Sequence, residues 1–598
     1  MGNIKIKHEK IVKSDKTGVA VKLSDITHET MQLLTDLPLK DEKLWHLFAV
    51  QFSRKWDNQD NGWRGEYWGK QMMGAVQVYE YNKDEELYSI LEKTVCDILD
   101  VHKKEGILST YTDQAFGDWD LWCRKYVLMG LEYFYDICKS QTLKQEMLEV
   151  MKKHMDTIME SIGPGENQRS IVQSGSNHPL LCGVNASSII EAVMRLYTLT
   201  EEKRYLEFAE YIISEGGTSA GNIFELAYSS DLYPYQYPVR KGYEMISCFE
   251  GIVEYYRVTG NEKYKTMVTR FAEKILERDF TIIGASGCQH EYFDYSKKTQ
   301  FDFSHGEHEM QETCVTVSLM RFFSQIFTLT GDIRYMDAIE KSYFNAYLGM
   351  VNSEKNLCND ALPFDSYSPL INGRRGNGIG GYKNIDDGRF YGCCAAYGAA
   401  GIGVIPKVVL MESTEGVVFN MYPKGEITYN GDAGKVKFVI EGNYPYENNI
   451  KITLSCDEKT PLTVSLRIPD WFENECVSVN GEQIVVKKGE YVNVQRVWQD
   501  GDVITLTSEE KIKEHLEEGV VYYTKGAIVL ARDARIDGDV MQSKYQDDLL
   551  EKGYDATQRC LFKTNCEYTF RANGLTLIDY SSAGKTWLYD SKLSIKVN

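Results

Sequence analysis

The feature that most limits how this chain can fold is a helical hairpin that returns five times. Between about residue 30 and residue 410, apolar residues recur at three- and four-residue spacing, the pattern of helices that bury one face. Near the end of one such stretch stands an aromatic, a short polar break follows, and eight residues on comes a second aromatic or Leu. The copies are Tyr79/Leu87, Tyr135/Leu143, Tyr197/Tyr205, Tyr256/Tyr264 and Phe327/Tyr335. The breaks resemble one another: Thr200-Glu201-Glu202, Thr259-Gly260-Asn261 and Thr330-Gly331-Asp332. Gly or a small polar residue stops the first helix, and an acidic residue about two places later suits the N-terminus of the next. Starts at 79, 135, 197, 256 and 327 give intervals of 56, 62, 59 and 71, too long for a simple solenoid but right for hairpins with insertions on one side. Five or six such hairpins can close into an (α/α)6 toroid; periodicity alone equally allows an open array.

Around residue 415 the pattern changes to short alternating runs, Val417-Val418-Phe419-Asn420-Met421, Lys435 to Ile440 and Thr463 to Ile468, with turn signals at Asn480-Gly481 and Asp500-Gly501 between them. That predicts a β-sandwich. The expected layout is multidomain α + β: an N-terminal segment 1–28, a helical domain 29–412, a sandwich 413–510, and a β-rich remainder 511–598 that completes the first sandwich or forms a second. The alternating Lys5-Ile6-Lys7 and Val19-Ala20-Val21-Lys22-Leu23 could return a strand to the sandwich.

Composition narrows the partners. With 67 basic and 87 acidic side chains the formal charge is −20, and no long basic run is present, which argues against a nucleic-acid binder. No stretch of 18 or more apolar residues indicates a membrane span. The first residues lack the apolar stretch of a secretory signal, so a cytoplasmic location with reduced thiols is expected, because 14 cysteines in 598 residues are too sparse for a disulfide scaffold. A homodimer through the β-region is one arrangement the sequence leaves open.

Adjacent thiols rarely arise for packing, and Cys393-Cys394 stands in a glycine-flanked stretch just before the helical region ends. Upstream, Glu312-Thr313-Cys314 opens the apolar helix Val315 to Met320. Glu312 and Cys314, two apart, do not share a helix face, so they can converge only at the loosened helix start, where free N–H groups also favour anions. Glu312, Cys314, Cys393 and Cys394 together make a Glu/Cys3 set suited to tetrahedral Zn2+. The plainer reading is a buried core thiol and a chance pair. A rival cluster, His305-Gly306-Glu307-His308-Glu309, reads by default as an exposed polar loop. Glu291, in His290-Glu291-Tyr292-Phe293, is a carboxylate walled by aromatics, which could hold a proton for a leaving-group oxygen; a solvated loop Glu is the alternative.

These residues resemble the β-L-arabinofuranosidase family of glycoside hydrolases, family 127 and its close relatives. The resemblance spans nearly the whole chain and rests on Gly106-Ile107-Leu108, Glu291-x-Phe293, Glu312-Thr313-Cys314, Cys393-Cys394, Leu466-Arg467-Ile468-Pro469-Asp470-Trp471, Val479-Asn480-Gly481 and Gly489 to Asp502, taken in that order. It implies an (α/α)6 barrel followed by β-sandwich material. It also implies a zinc-dependent retaining exo-glycosidase acting on β-L-arabinofuranosides, or a related sugar, in small oligosaccharides. By resemblance Cys393 is the nucleophile, Cys394, Cys314 and Glu312 are the other zinc ligands, and Glu291 is the general acid/base. The stretch from Glu291 to Glu312 is longer than the family's and contains the His305 to Glu309 cluster. After the Cys pair the family continues with Pro and Asn, where this chain has Ala395-Ala396-Tyr397. Positions where relatives place sugar-binding histidines are filled here by Trp119, Asn185 and Tyr243, the candidate substrate contacts. Two other readings compete: a metal-independent lyase or unsaturated-uronide hydrolase on the same toroid, and a non-catalytic sugar-binding protein with a structural zinc.

Overall fold

The computed structural model describes residues 9–12, 18–60, 62–112, 116–289, 291–303, 310–352, 362–375, 382–385, 388–431, 434–509, 511–540, 542–543, 555–559, 564–585 and 592–598. The Lys5 to Lys7 alternation and the His305 to Glu309 cluster lie outside the described residues.

Each repeated break is a turn between two helices. Arg64–Asn82 leads to Glu85–Glu105, Asp120–Ile137 to Gln141–Ser161, Ile190–Thr200 to Lys203–Ser214, Gly242–Thr259 to Glu262–Lys274, and Thr313–Thr330 to Ile333–Lys341. Gly260 and Gly331 end their helices in the left-handed region, at φ of 66° and 69°. Asn261 and Asp332 then cap the next helices, their side chains accepting from the N–H of Lys263 and Arg334. At the remaining break Glu201 itself takes the left-handed turn, with φ of 59°. The polar residues of the breaks therefore act mainly as caps.

The first helix of every hairpin faces inward. Arg64–Asn82 packs on Asp120–Ile137, and contact passes on through Ile190–Thr200, Gly242–Thr259 and Thr313–Thr330 to Cys393–Ile402, which packs back on Arg64–Asn82. That ring of six inner helices is closed, and it settles the choice between open array and toroid. Outer helices keep one apolar stripe, as where Glu262–Lys274 buries Met267, Val268, Phe271 and Ala272. Inner helices are covered nearly all round, so Arg64–Asn82 buries residues from Arg64 to Tyr79 without a gap, charged ones included. Two glycines allow this closeness. A Cβ at Gly69 would lie 1.8 Å from the Tyr126 carbonyl oxygen, and one at Gly74 would lie 2.6 Å from Ala399 Cβ.

Behind the barrel two sheets form the sandwich. One has the strand order Ile11–Val12, Leu410–Ser413, Gly416–Phe419, Thr460–Ile468, Glu490–Trp498. The other runs Glu482–Ile484, Cys476–Val479, Val503–Thr507, Asn449–Cys456, Gly434–Glu441, Gly425–Gly431, Val19–Leu23. The N-terminal strand thus returns to the sandwich, with Val21 opposite Ile427. Alternation sets its inner face: Ile450, Ile452 and Leu454 are buried while Lys451 between them is exposed. Strands from Ile512–Glu517 onward build a separate sheet, which reaches the helical region where Lys592–Ser594 pairs with Asn372–Arg374. Arg467 of the sandwich is fully buried and pairs with Glu340 and Asp337 of the outer helix Ile333–Lys341. No helix among the described residues is long and apolar enough to cross a membrane.

Candidate active site and metal centre

Two strand-to-helix junctions build the site. Met310–Glu312 runs into Thr313–Thr330 with Glu312 as N-cap, and Phe390–Gly392 runs into Cys393–Ile402 with Gly392 as N-cap. Both helices are inner-ring neighbours, so their free N-terminal N–H groups meet at one end of the barrel. Glu312, Cys314, Cys393 and Cys394 converge there, with one ligand atom from each lying within 4.8 Å of all the others. The loosened helix start does what the spacing required, since Glu312 sits just outside its helix and Cys314 just inside.

The donor set fits a divalent metal. Cys393 Sγ and Cys394 Sγ are 3.7 Å apart, and a tetrahedral centre with Zn–S bonds of about 2.3 Å has S···S edges of about 3.8 Å. Glu312 Oε1 lies 3.4 Å from Cys394 Sγ and 3.9 Å from Cys393 Sγ. Glu312 Oε2 is buried without a hydrogen-bond partner, a vacancy that coordination would fill. Three thiols and a carboxylate form a soft, nearly dry set of the kind zinc takes.

Electrostatics single out one thiol. Hydrogen bonds from the Cys314 and Cys394 thiols hold Cys393 well below the usual thiol range, and the cations Lys70 and Lys241 act in the same direction. Burial pushes Cys314 and Cys394 up. Burial also pushes Glu312 up to about 8, with the charge on Cys393 adding to it. Cys393 is the cluster's only partly exposed member; Cys314 and Cys394 are fully buried. The thiol best placed to be a thiolate is also the one a ligand can reach.

Glu291 is pinned at the same end. Its carbonyl accepts from Gly242 N–H at 2.7 Å, and Phe293 N–H donates to Arg240 O at 2.8 Å, which fastens the loop to the start of Gly242–Thr259. Glu291 Oε1 accepts from Tyr367 Oη at 2.8 Å, and Tyr367 stands directly opposite Glu312 in the strand pair Met310–Glu312 and Tyr367–Pro369. Glu291 Oε2 forms an ion pair with Lys241. The Glu291 carboxyl thus meets a tyrosine hydroxyl from another strand and an ammonium group.

The three candidate sugar contacts have different surroundings. Tyr243 is buried, its hydroxyl bonded to that of Tyr126, and its ring lies 4.4 Å from Lys70 Nζ, itself 3.8 Å from Cys314 Sγ. Trp119 caps Asp120–Ile137 and packs edge-on between Trp63 and Trp122 at 6.2 and 5.7 Å. Asn185 is fully buried, accepting from Ser176 N–H at 3.1 Å and donating to Asp118 O at 2.5 Å, so both its polar ends are engaged by backbone. Sequence reasoning missed Lys70, Glu66, Lys241 and Tyr367. A signal existed for the first two: Glu66 and Lys70 are an i,i+4 pair inside a run of aromatics, glycines and methionines that has no solvent face to offer them.

A closed helical barrel with a buried cluster of three cysteines and a glutamate at one end, a set that could hold a metal ion, is the class that fold and site define. The sequence profile described as β-L-arabinofuranosidase, GH127 catalytic domain, matches residues 19–396, and that of the GH127 middle domain matches residues 416–509. The chain belongs to this family, glycoside hydrolase family 127. It is 22% identical over 459 residues to the non-reducing end β-L-arabinofuranosidase of Bifidobacterium longum, a match that covers 69% of this chain and 65% of that relative's own length. Two solved structures share the fold over almost the whole chain. A GH127 β-arabinofuranosidase superposes with a TM-score of 0.72 at 17% identity, covering 99% of this chain and 98% of that one. A GH127 β-L-arabinofuranosidase from Geobacillus stearothermophilus T6 does so with a TM-score of 0.71 at 18% identity, covering 97% and 100%.

Proposed function

We propose that the protein is a zinc-dependent, retaining exo-glycosidase that uses Cys393 as nucleophile and Glu291 as general acid/base. Its substrates are β-L-arabinofuranosides, or a related sugar, at the ends of small oligosaccharides. The observation that carries the reading is the Glu/Cys3 cluster, with its one reachable thiol beside an independently anchored carboxyl group. Glu312, Cys314, Cys393 and Cys394 would hold the metal, which when bound keeps the thiols deprotonated near neutral pH.

Cys393 Sγ attacks the anomeric carbon, a C–S bond forms as the C–O bond to the leaving group breaks, and Glu291 gives its proton to the departing oxygen. Glu291, now a carboxylate, takes a proton from water. The hydroxide equivalent displaces Cys393 Sγ from the sugar, and two inversions give net retention. Tyr367 positions Glu291 through one carboxylate oxygen, and Lys241 must release or share the other while that carboxyl group carries its proton. The family membership and the named activities of the two solved relatives support the sugar class. Trp119 and Tyr243, where relatives place histidines, support a departure in which hydroxyls are read.

Kinetics on aryl β-L-arabinofuranosides and related glycosides test the proposal. Cys393→Ser and Glu291→Gln should each lower kcat by about three orders of magnitude or more with folding intact. Glu291→Gln should also accumulate a sugar adduct on Cys393, visible by intact mass spectrometry with a substrate whose leaving group needs no acid. Full activity in either variant overturns the mechanism.

A further inference from the structure

The cluster has a charge problem that the mechanism does not address. Three thiolates and a carboxylate carry four negative charges, a divalent ion cancels two, and the remainder lies almost entirely out of water, where uncompensated charge is costly. Most other cations of this region are engaged elsewhere. Arg321 is held by Glu191 and Glu250, Arg124 by Asp120, Lys241 by Glu291, and Lys125 donates to Ser188 Oγ. Lys70 is paired as well, with Glu66, yet among these cations it alone reaches a sulfur of the cluster. Only 1% exposed, it extends from Arg64–Asn82 and places its Nζ 3.8 Å from Cys314 Sγ and 3.2 Å from Glu66 Oε1.

Its surroundings leave the ammonium little freedom. The rings of Tyr243, Tyr126, Tyr397 and Trp122 lie 4.4, 5.0, 5.4 and 5.6 Å from Nζ, each offering the negative face of a π-system. Gly69, the neighbouring residue, allows the helix close enough to Tyr126 for that cage to form. Such a cage keeps a cation charged where water is excluded, and it aims the cation at a sulfur that solvent does not reach.

We propose that Lys70 is a positioning residue for the metal centre: its caged ammonium donates to Cys314 Sγ and supplies the buried counter-charge that lets the Glu/Cys3 cluster hold a divalent ion. The N–H donor goes to the fully buried Cys314, while the same charge also favours the thiolate of the partly exposed Cys393. This rests on the metal reading of the site proposed above.

The test compares wild type, Lys70→Met, Lys70→Gln and Lys125→Met as full-length chains. Zinc affinity is read by chelator competition, and the thiolate-to-metal charge-transfer band is read after Co2+ substitution. Lys70→Met should bind zinc about 10- to 100-fold more weakly, the range for partners of metal ligands, and its Co2+ band should move to longer wavelength because a sulfur has lost its N–H donor. Lys70→Gln keeps a donor without the charge, so it should restore the band and not the affinity. It also serves should Lys70→Met fail to fold. Lys125→Met, an equally buried lysine of the inner ring, should change neither readout.

Wild-type affinity and spectrum in Lys70→Met overturn the proposal while leaving the metal site standing. So does an equal loss in Lys125→Met, or full affinity in Lys70→Gln. Wild-type protein that takes up neither zinc nor Co2+ overturns the metal reading itself, and this inference with it.

Discussion

Helix Thr313–Thr330 carries two buried groups whose surroundings differ in kind. Arg321, about two turns in, lies 2.8 Å from Glu191 Oε1 and 3.4 Å from Glu250 Oε2, and it also donates to the Tyr397 hydroxyl. Its charge is met by protein on every side described. At the start of the same helix the Glu312 carboxylate is flanked instead by three sulfurs that sit at ligand spacing around a common point. Charged residues inside a barrel are thus of two sorts. Where opposite charges pair, the cluster holds helices together, and where thiols and a carboxylate converge at ligand spacing, the cluster suits something that is not protein.

The largest expected effect sharpens that contrast at the open cluster. Stripping the metal with a chelator should reduce turnover by about three orders of magnitude, as loss of the nucleophile does. Zinc readdition should restore it in the wild type and not in Cys394→Ser. Activity that survives complete metal removal would place the cluster with Arg321, as structure alone.

At the closed cluster the expected effect is on stability. Arg321→Met leaves Glu191 and Glu250 facing each other without their cation, and breaking a buried pair in this way costs about 3–5 kcal/mol. Urea unfolding should show that loss, with metal content still near wild type. A variant that unfolds normally but loses its metal would dissolve the distinction between the two clusters.

A smaller effect comes from a buried group kept neutral. His154, on the outer helix Gln141–Ser161, is 2% exposed, its Nε2 is 3.2 Å from the Arg124 carbonyl oxygen, and burial followed by the Arg124 charge pushes it down to about 3. A folded-state value below the unfolded one means its contribution is fully present above about pH 6.5 and is lost as pH falls toward 3. Within that window the slope is about 1.4 kcal/mol per pH unit for one group. Stability measured against pH should flatten there in His154→Leu, and an unchanged acid limb would remove His154 from the account.

The smallest expected effect concerns sugar choice. Tyr243→His places an imidazole where the family resemblance implies one, and it should shift the ratio of kcat/KM between two furanosides by about tenfold, the scale of one altered polar contact. Equal ratios in wild type and variant would mean that Tyr243 does not read the sugar.

The hairpins were legible because helix stops and caps are local: Thr259-Gly260-Asn261 specifies its own turn wherever it occurs. Ring closure was not, since it depends on Cys393–Ile402 meeting Arg64–Asn82 across more than 300 residues of sequence. The convergence of Glu312, Cys314, Cys393 and Cys394 was legible as a set of residue types, because adjacent cysteines are hard to explain by packing. The neighbours of these residues were hidden. Lys241 acquires meaning only when a separate loop lays Glu291 against it, and Lys70 only when three other helices bring their rings around it. Asn185, a candidate sugar contact by position, also ties Ser176 to Asp118 through its amide, a role its position in the sequence did not show.

The most direct test of the central claim, that Glu312, Cys314, Cys393 and Cys394 form one metal-holding catalytic cluster, is the metal content of freshly purified protein. Plasma mass spectrometry would be run on wild type and on the Cys393→Ser/Cys394→Ser double variant side by side, under reducing, chelator-free conditions. The account predicts about one zinc per chain in the wild type and little or none in the double variant. No zinc in the wild type, or equal zinc in both, would contradict it.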